Sequence, residues 1–192
     1  MQSKSLLFLI EVSIFTSLAL VLDLIPFLSF KIWPQGGSVS FAMIPVFIVA
    51  FRWGLKGGLL SGFLWGILQI AVGEAAIYYF WQAVIEYVFA FTALGLAGIF
   101  ARSVHRTIKD GQRKKSFIYI MSGVFIGTSL RFLAHFFAGF IFFAEFAPEG
   151  QPAWLYSLLY NGSYMLPSFV ICTFVIYWLF NKQPRTLLTA AA

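Results

Sequence analysis

A series of long apolar segments constrains this chain more than any other feature of its sequence. The segments run over about 6–28, 39–52, 57–73, 77–101, 117–144 and 153–181. Because a transmembrane helix needs about 20 consecutive apolar residues, six of them would use roughly 120 residues and leave little beyond loops. Only 10% of the 192 residues are charged, whereas about 25% are charged in a soluble domain. The sequence therefore predicts an all-α polytopic membrane protein that forms one integral membrane domain over residues 1–192.

The aromatic content excludes the partners that a basic chain usually suggests. The formal net charge is +6, but 24 Phe, 8 Tyr and 6 Trp cannot stay solvated in a disordered, nucleic-acid-binding chain. We therefore expect membrane lipid around the chain and no nucleic acid partner. A single cysteine, Cys172, cannot form an internal disulfide. The two histidines and the few carboxylates are too scattered along the chain to suggest a metal site.

The positions of lysine and arginine predict six membrane crossings with both termini in the cytoplasm. If every segment spans, all basic residues except Lys31 and Arg131 fall on one side: Lys4, Arg52, Lys56, Arg102, Arg106, Lys109, Arg113, Lys114, Lys115, Lys182 and Arg185. The positive-inside rule makes that side cytoplasmic. The short second segment fits a re-entrant loop as well. A re-entrant loop, however, would place the basic residues of 102–115 outside, against the positive-inside rule.

Two stripes of small residues follow helix faces in the first and third segments. Residues four apart on a helix lie on one face, where a neighbouring backbone can approach closely. The stripes are Ser13, Ser17 and Val21, and Gly54, Gly58, Gly62 and Gly66. We expect the glycines to serve internal packing, whereas the first stripe fits either internal packing or docking to another membrane protein.

The loop at 29–40 is external in this topology. Pro34 and Gly36-Gly37 break a helix and favour a turn. Trp33 beside them fits two interpretations, a position in the interfacial aromatic belt or a cap over a pocket below.

Three ionisable side chains lie inside predicted spans, where such residues are costly and each is a candidate for function. They are Glu86, Arg131 and His135. With a rise of about 1.5 Å per residue, Glu86 and His135 each lie roughly 14 Å below the external face, and Asn161 lies at a similar depth. Three helices are therefore expected to bring a carboxylate, an imidazole and an amide together in the outer half of the membrane.

Two interpretations of this polar group stay open. In the first, Glu86 pairs with Arg131, and the network only fixes helix packing. In the second, the group lines a pocket that opens to the outside, where aromatic side chains beside a carboxylate bind a flat cationic ligand by stacking and cation–π contact. The aromatic residues near the predicted pocket are Tyr78, Tyr79, Trp81, Tyr87, Phe136, Phe143, Trp154, Tyr156, Tyr160 and Tyr164.

Catalytic motifs are weak in this chain. It has no P-loop pattern, so it is not expected to hydrolyse ATP itself, and no serine stands beside a base in a way that singles out a nucleophile. We therefore predict that the protein is not an enzyme and has no cofactor of its own. A proton-coupled carrier would use Glu86 and His135 as a relay, but 192 residues without a visible inverted repeat are few for an autonomous carrier.

Several stretches over about residues 5–181 form a combination that is specific, although none is specific alone. They are Pro34-Gln-Gly-Gly-Ser-Val-Ser40, Met43-Ile-Pro45, Phe51-Arg-Trp-Gly54, Gln82 through Glu86-Tyr87, Leu130-Arg131 through His135 and Gly139, and Tyr156-Ser-Leu through Asn161. Together they resemble the thiamine-specific S-components of energy-coupling factor (ECF) vitamin transporters, the thiamine transporter family of Firmicutes.

The resemblance implies a membrane-embedded binding subunit with an S-component-like helix bundle. Such a subunit captures thiamine at high affinity at a site that faces outside, in the cell membrane. It delivers the vitamin by associating with a transmembrane T-component and two ATPase subunits, which use the ATP, and it is thought to topple in the membrane. The stripe on the first segment is similar to the family's docking motif, with Ser13 and Ser17 where alanines are usual.

The resemblance also implies roles for eight residues. Glu86 is the carboxylate that pairs with the thiamine cation, and Tyr156 and Asn161 hydrogen-bond to the aminopyrimidine. His135 and Tyr87 stack on the ligand, and Phe143 stands where a relative has tryptophan. Trp33 is the loop residue that closes the site, and at Gly139 the ligand comes close to the backbone. Ala76 stands where that relative has tyrosine, for which Tyr78 or Tyr79 would compensate. Arg131 is expected below the pocket rather than against the ligand.

Other functions remain open from the residues alone. One alternative is a binding subunit for another vitamin or a thiamine precursor. The other is a non-catalytic membrane assembly protein, in which the polar group only fixes helix packing. Glu86 argues against thiamine phosphates, because like charges would meet at a low-dielectric site.

Overall fold

The computed structural model describes residues 2–33 and 36–188, and most of these residues are helical. The helices are α1 (Gln2–Leu24), α2 (Met43–Ala71), α3 (Phe80–Lys109), α4 (Arg113–Phe142), α5 (Ala153–Lys182) and the short α6 (Pro184–Leu187). Strands β1 (Ser29–Trp33) and β2 (Gly36–Ser40) form an antiparallel hairpin between α1 and α2. A 3-10 turn at Ala144–Phe146 lies between α4 and α5.

Five helices, α1 to α5, are long and apolar enough to cross a membrane. One of them, α2, is broken at Gly54, whose φ of 74° is rare for residues with a side chain. The two limbs of α2, 43–53 and 55–71, correspond to the predicted second and third segments, 39–52 and 57–73. The first limb is roughly 16 Å long at a rise of about 1.5 Å per residue. All of its residues from 43 to 52 are buried, so protein rather than lipid covers this short limb.

The helices alternate in direction through the bundle. Along the second limb of α2 and α3, the close backbone pairs run in opposite senses: Gly58 with Gly95, Gly62 with Phe91, and Gly66 with Tyr87. By similar pairs, α4 runs antiparallel to α3 and to the first limb of α2, α5 runs antiparallel to α4, and α1 runs parallel to the second limb. The start of α1 and the end of α5 therefore lie at the same end of the bundle, and the hairpin lies at the other.

The glycine stripe of α2 lies against α3, which confirms the prediction of internal packing. A Cβ atom at Gly62 would lie 2.3 Å from the carbonyl oxygen of Phe91, and a Cβ atom at Gly66 would lie 1.9 Å from that of Tyr87. Side chains at these positions would force the two helices apart. The close contact holds the part of α3 that carries Glu86 against the second limb of α2.

The all-α prediction omits one short sheet, because residues 29–40, predicted as a loop with a turn, form the β1–β2 hairpin. Ser29 pairs with Ser40, and Phe30 pairs with Val39. The helix breakers at 34–37 leave a short extended stretch on each side, and these stretches satisfy their backbone groups by pairing with each other. Pro34 lies outside the described residues, as does Gln35, so the part of the predicted turn that rests on Pro34 is not described.

Helix α3 changes its helical form along its length. It is π-helical over Val84–Phe89 and 3-10 over Leu94–Phe100. It extends beyond the predicted segment 77–101 because a polar α-helical stretch, Ala101–Lys109, continues after the apolar pattern ends. π-helical stretches are rare and are frequently found at functional sites, and Glu86 lies in this one.

The small-residue stripe on α1 faces away from the bundle. Ser13, Ser17 and Val21 are all exposed. The internal-packing interpretation of this stripe is therefore wrong, because no other helix of the described chain covers these positions.

Candidate ligand-binding site

A cavity of about 480 Å³ lies inside the bundle against the hairpin, with lining residues from α1 to α5. Seven of the eight predicted site residues line it: Glu86, Tyr87, His135, Gly139, Phe143, Tyr156 and Asn161. Small-molecule sites have volumes of about 300–1,000 Å³. The structure thus brings Glu86, His135 and Asn161 together around one space, as their equal depths predicted.

Glu86 reaches this cavity from the π-helical stretch of α3. The side-chain amide of Gln82 donates to Oε2 of Glu86, and Nδ1 of His135 lies 3.3 Å from Oε1. Gln82 is fully buried and also donates to the carbonyl oxygen of Ala76 at 2.9 Å, which ties the chain before α3 to the helix. The Glu86 side chain is 15% exposed, and within residues 2–33 and 36–188 no lysine or arginine forms an ion pair with it.

The pair between Glu86 and Arg131, which one interpretation of the sequence expects, does not form in the described chain. His135 lies between the two side chains. Nε of Arg131 donates to Nε2 of His135 at 3.4 Å, and the other ring nitrogen faces Glu86. The imidazole ring thus separates the guanidinium from the carboxylate.

Arg131 lines the inner part of the cavity one helical turn beyond His135. Its guanidinium carbon lies 4.1 Å from the ring centroid of Phe91 and 5.0 Å from that of Trp65, which is the geometry of cation–π contacts. Its Nη1 atom is buried and has no hydrogen-bond partner among the residues that the structure describes.

Asn161 is held by its neighbours on α5. Its amide nitrogen donates to the carbonyl oxygen of Ser157 at 2.9 Å, and its carbonyl oxygen accepts from the hydroxyl of Tyr164 at 2.5 Å. Gly139 of α4 stands opposite, where an added Cβ atom would lie 2.5 Å from Oγ of Ser157. The glycine therefore allows α4 and α5 to approach each other at the wall of the cavity.

The aromatic lining differs in part from the predicted set. Tyr78, Tyr87, Phe143, Tyr156, Tyr160 and Tyr164 line the cavity, whereas Tyr79, Trp81, Phe136 and Trp154 do not. Tyr78 contacts Phe143 edge to face at 5.6 Å between ring centroids, and Tyr79 stacks on Phe142 instead. Of the two residues expected to compensate for Ala76, Tyr78 is the one at the cavity. Trp65 and Phe91 also line it and were missed, because buried apolar residues carry no polar signal in a membrane sequence.

Trp33, the eighth predicted residue, does not line the cavity. Its indole nitrogen donates to Oγ of Ser163 at 2.9 Å, and its ring lies 5.8 Å from the ring of Tyr160, which does line the cavity. The end of the hairpin is thereby fastened to α5 beside the cavity.

A carboxylate that the sequence did not single out, Asp23, anchors the base of the hairpin. Its Oδ1 accepts from Oγ of Ser29 at 2.9 Å and from Oγ of Ser40 at 3.1 Å, and its Oδ2 accepts from the Gln69 amide at 2.5 Å. These donors come from both strands and from α2, and all four residues line the cavity. Asp23 stands in the last turn of α1, at the edge of an apolar segment, where a charged residue ordinarily marks the end of a span.

The charged side chains that are at least half-buried at the cavity are Asp23, Glu86 and Arg131, whereas Lys31 and Glu74 on the lining are exposed. Two carboxylates and one guanidinium leave one net negative charge when His135 is neutral. Such a cavity suits a monocation with hydrogen-bond donors on one edge. No cluster of three or more His, Cys, Asp and Glu that could hold a metal ion occurs in the described ranges.

Comparisons with known proteins agree on one family. Residues 9–188 match the family model described as thiamine transporter protein (Thia_YuaJ). The chain is 46% identical over 186 residues to the thiamine transporter ThiT of Bacillus subtilis strain 168, covering 97% of this chain and 96% of the relative. It is 31% identical over 187 residues to the thiamine transporter ThiT of Lacticaseibacillus paracasei, covering 96% and 92%.

A solved structure also resembles the fold closely. It is that of ThiT from Listeria monocytogenes, with a TM-score of 0.89 and 32% sequence identity, and the match covers 96% of this chain and 99% of that one. The relatives are transporters rather than enzymes. Since the family model spans nearly the whole chain and the relatives match from end to end, this protein belongs to the thiamine transporter family.

Proposed function

We propose that the protein captures thiamine from outside the cell at high affinity in the cavity against the hairpin, and delivers it through an ECF-type ATP-driven importer. The observation that carries the proposal is the Glu86 carboxylate, whose hydrogen-bond partners within the described residues, Gln82 and His135, carry no fixed charge, at a cavity lined by several aromatic side chains. Thiamine supplies what this carboxylate lacks, a cationic thiazolium and an aminopyrimidine edge that donates hydrogen bonds.

The lining residues suit the two rings of thiamine. Glu86 accepts hydrogen bonds from the aminopyrimidine, a charge-assisted contact that a neutral hydroxyl could not match. Tyr156 and Asn161 complete the polar contacts with that ring. The aromatic faces of Tyr87, His135 and Phe143 stack on the ligand.

Two further positions shape the ends of the site. Gly139 leaves room for the ligand to approach the helix backbone. Trp33 closes the site from the hairpin, through its contacts with Tyr160 and Ser163.

The charge balance favours thiamine over its phosphates. One net negative charge at the buried part of the cavity is neutralised by one thiamine cation. A phosphate would add negative charge near Asp23 and Glu86, where low polarity makes repulsion costly. We therefore propose the free vitamin as the preferred ligand.

The topology proposed from the charges agrees with the alternation of the helices. We propose six membrane crossings, in which the two limbs of α2 cross separately and both termini are cytoplasmic. Arg52, Lys56 and the basic residues of 102–115 then face the cytoplasm, as the positive-inside rule requires. The hairpin and the cavity lie at the opposite end of the bundle and face outside.

The exposed face of α1 is the surface we propose for the T-component. Only 17% of its most apolar stretch is buried within the chain, and Ser13 and Ser17 allow close approach by another helix. Two ATPase subunits bound to the T-component would supply the energy, since this chain has no P-loop.

A thiamine titration of the ligand-free protein, followed by tryptophan fluorescence, tests the binding function. Trp65 lines the cavity and is 1% exposed, so its emission is expected to change when the cavity fills. We expect a saturable one-to-one change that the pyrimidine precursor reverses and riboflavin does not. The variant Trp65→Phe should lose most of the signal, which assigns it to the cavity.

The protein must be purified from cells grown without thiamine, so that the site is empty at the start. Folded, empty protein that gives no response to thiamine would overturn the proposal. Displacement by riboflavin would assign the cavity to another vitamin.

A further inference from the structure

The contacts of His135 determine which of its ring nitrogens carries a proton. Nε2 lies 3.4 Å from Nε of Arg131, and Nδ1 lies 3.3 Å from Oε1 of Glu86. The Nε–H group of arginine can only donate, so Nε2 of His135 must be the acceptor. An ionised carboxylate can only accept, so Nδ1 must carry the hydrogen.

We propose that Arg131 is a positioning residue that holds His135 neutral, as the Nδ1–H tautomer. The positive charge of the ligand is then balanced by Glu86 and not shared with a charged His135. This inference rests on the proposed function for the meaning of the site, but the tautomer itself belongs to the protein without ligand.

The surroundings of Arg131 leave it little freedom to turn away. Its guanidinium lies against the rings of Phe91 and Trp65, which are 3% and 1% exposed. A second proton on His135 would point Nε2–H at the donor Nε–H of Arg131 and place two positive charges side by side. Among the residues that the structure describes, Glu86 on α3 is the only other charged group that hydrogen-bonds to the ring, and Asn161 on α5 hydrogen-bonds to the backbone carbonyl of His135.

The arrangement restricts what His135 can offer a ligand. Both ring nitrogens are already engaged within the protein, so the ring meets the cavity through its face. Hydrogen-bond donors of the ligand are thereby directed to Glu86 rather than to an imidazole lone pair. The site therefore selects a flat cation whose donors lie on the edge that meets Glu86.

The experiment uses nitrogen NMR of the intact, ligand-free protein in detergent micelles. The chain has 2 histidines, and His105 lies outside the cavity lining. The variant His105→Gln, labelled with nitrogen-15 in the imidazole, therefore reports His135 alone. We expect one protonated and one unprotonated ring nitrogen, with the proton on Nδ1.

Two substitutions of Arg131 separate its hydrogen bond from its bulk. In Arg131→Gln, the side-chain amide nitrogen takes the place of Nε and still donates. In Arg131→Met, a chain of equal length has no donor. We expect the glutamine variant to keep the Nδ1–H tautomer and the methionine variant to lose it. Thiamine affinity should be about tenfold lower in the methionine variant than in the glutamine variant, because the methionine variant has lost one hydrogen bond.

A spectrum in which ligand-free His135 carries its proton on Nε2, or carries two protons, would overturn the inference. An unchanged tautomer in Arg131→Met would overturn it as well. If the methionine variant does not fold, the His105→Gln and Arg131→Gln spectra still decide the tautomer. Because these spectra require no ligand, failure of the tautomer and failure of thiamine binding are separate results.

Discussion

Two glutamates inside the bundle each have an arginine nearby, but only one of the two arginines forms an ion pair with its glutamate in the described chain. Glu11 on α1 accepts from Nε and Nη2 of Arg52 at 2.5 and 2.6 Å, and from the indole of Trp53 at 2.7 Å. Nη1 of Arg52 donates to the carbonyl oxygen of Thr186. Glu86, in contrast, contacts Gln82 and His135, and the ring of His135 separates it from Arg131. The first carboxylate is neutralised within the chain, whereas the second faces a cavity.

We interpret Glu11, which pairs with Arg52, as a charge that stabilises the fold, and Glu86, which faces the cavity, as a charge that binds the ligand. A buried ion pair with its hydrogen bonds satisfied costs much when one partner is removed, and the Glu11–Arg52 pair joins α1, α2 and the segment after α5. A carboxylate without a countercharge is unfavourable in the protein alone, and becomes favourable when a cation arrives. We therefore expect substitution of Glu11 to lower stability and substitution of Glu86 to lower affinity.

The largest expected effect is on stability, from Glu11→Gln. This substitution removes the carboxylate that pairs with the Arg52 side chain, which is 9% exposed. Loss of one partner of a buried pair lowers the free energy of unfolding by about 3–5 kcal/mol. Unfolding by SDS in mixed micelles measures the loss. The affinity of the folded protein for thiamine should change by less than about twofold, since distant sites act independently.

The double variant Glu11→Leu/Arg52→Met is the control for this prediction. It removes both charges and is expected to regain most of the lost stability. A double variant as unstable as Glu11→Gln would mean that shape rather than charge matters in this cluster.

Glu86→Gln is expected to have the next largest effect, and on affinity rather than stability. The amide keeps the size of the side chain but loses the charge that we propose meets the thiamine cation. We expect thiamine to bind about 100-fold more weakly, which corresponds to roughly 2.7 kcal/mol. Isothermal titration calorimetry gives the dissociation constant. The matched control is Glu74→Gln, because Glu74 also lines the cavity but is exposed; it should change affinity by less than about threefold. Equal losses in both variants would refute the special role of Glu86.

Asp23 is intermediate between the two glutamates, since it lines the cavity and yet accepts hydrogen bonds from within the chain, and we therefore substitute it as Asp23→Asn. We expect it to loosen the base of the hairpin and to raise the rate of thiamine dissociation about tenfold, the size of one lost charge-assisted hydrogen bond. Stopped-flow fluorescence measures this rate. Ser40→Ala removes one of the same hydrogen bonds without changing any charge. An unchanged rate in both variants would show that the hairpin base does not limit ligand release.

Phe143→Trp should give the smallest effect, an increase in affinity of about two- to fivefold. A larger aromatic face stacks more strongly on a cationic ring, and the gain is a part of the about 0.5–1.5 kcal/mol that a whole aromatic pair contributes. Calorimetry with thiamine measures the gain. The substitution should leave the ligand-free stability unchanged, because Phe143 lies at the cavity beside Tyr78. A loss of affinity would mean that the position has no room for the larger ring.

The sequence predicted the convergence of Glu86, His135 and Asn161 because helical rise alone sets their depth. It did not predict how Arg131 would turn, since that depends on the rings of Phe91 and Trp65 that α3 and α2 place there. Asp23 escaped notice because charged residues at the end of an apolar segment are ordinary. The hairpin was missed because a membrane sequence rich in helix gives a ten-residue loop little independent signal.

The break at Gly54 shows a further limit of sequence. The glycine and the two apolar segments around it were visible, and they predicted two helices. Their first limb, however, is short and wholly buried, and hydropathy does not distinguish burial in protein from burial in lipid.

The most direct test of the account measures the thermal unfolding of wild-type protein, Glu11→Gln and Glu86→Gln, each with and without saturating thiamine. A ligand that binds only the folded state raises its stability in proportion to the logarithm of concentration over dissociation constant. We predict that Glu11→Gln unfolds at a lower temperature but keeps the full thiamine-induced increase. Glu86→Gln should unfold at the wild-type temperature or above it without ligand, because an unfavourable charge is removed, and should lose most of the increase. A full thiamine-induced increase in Glu86→Gln would show that the Glu86 charge does not bind the ligand.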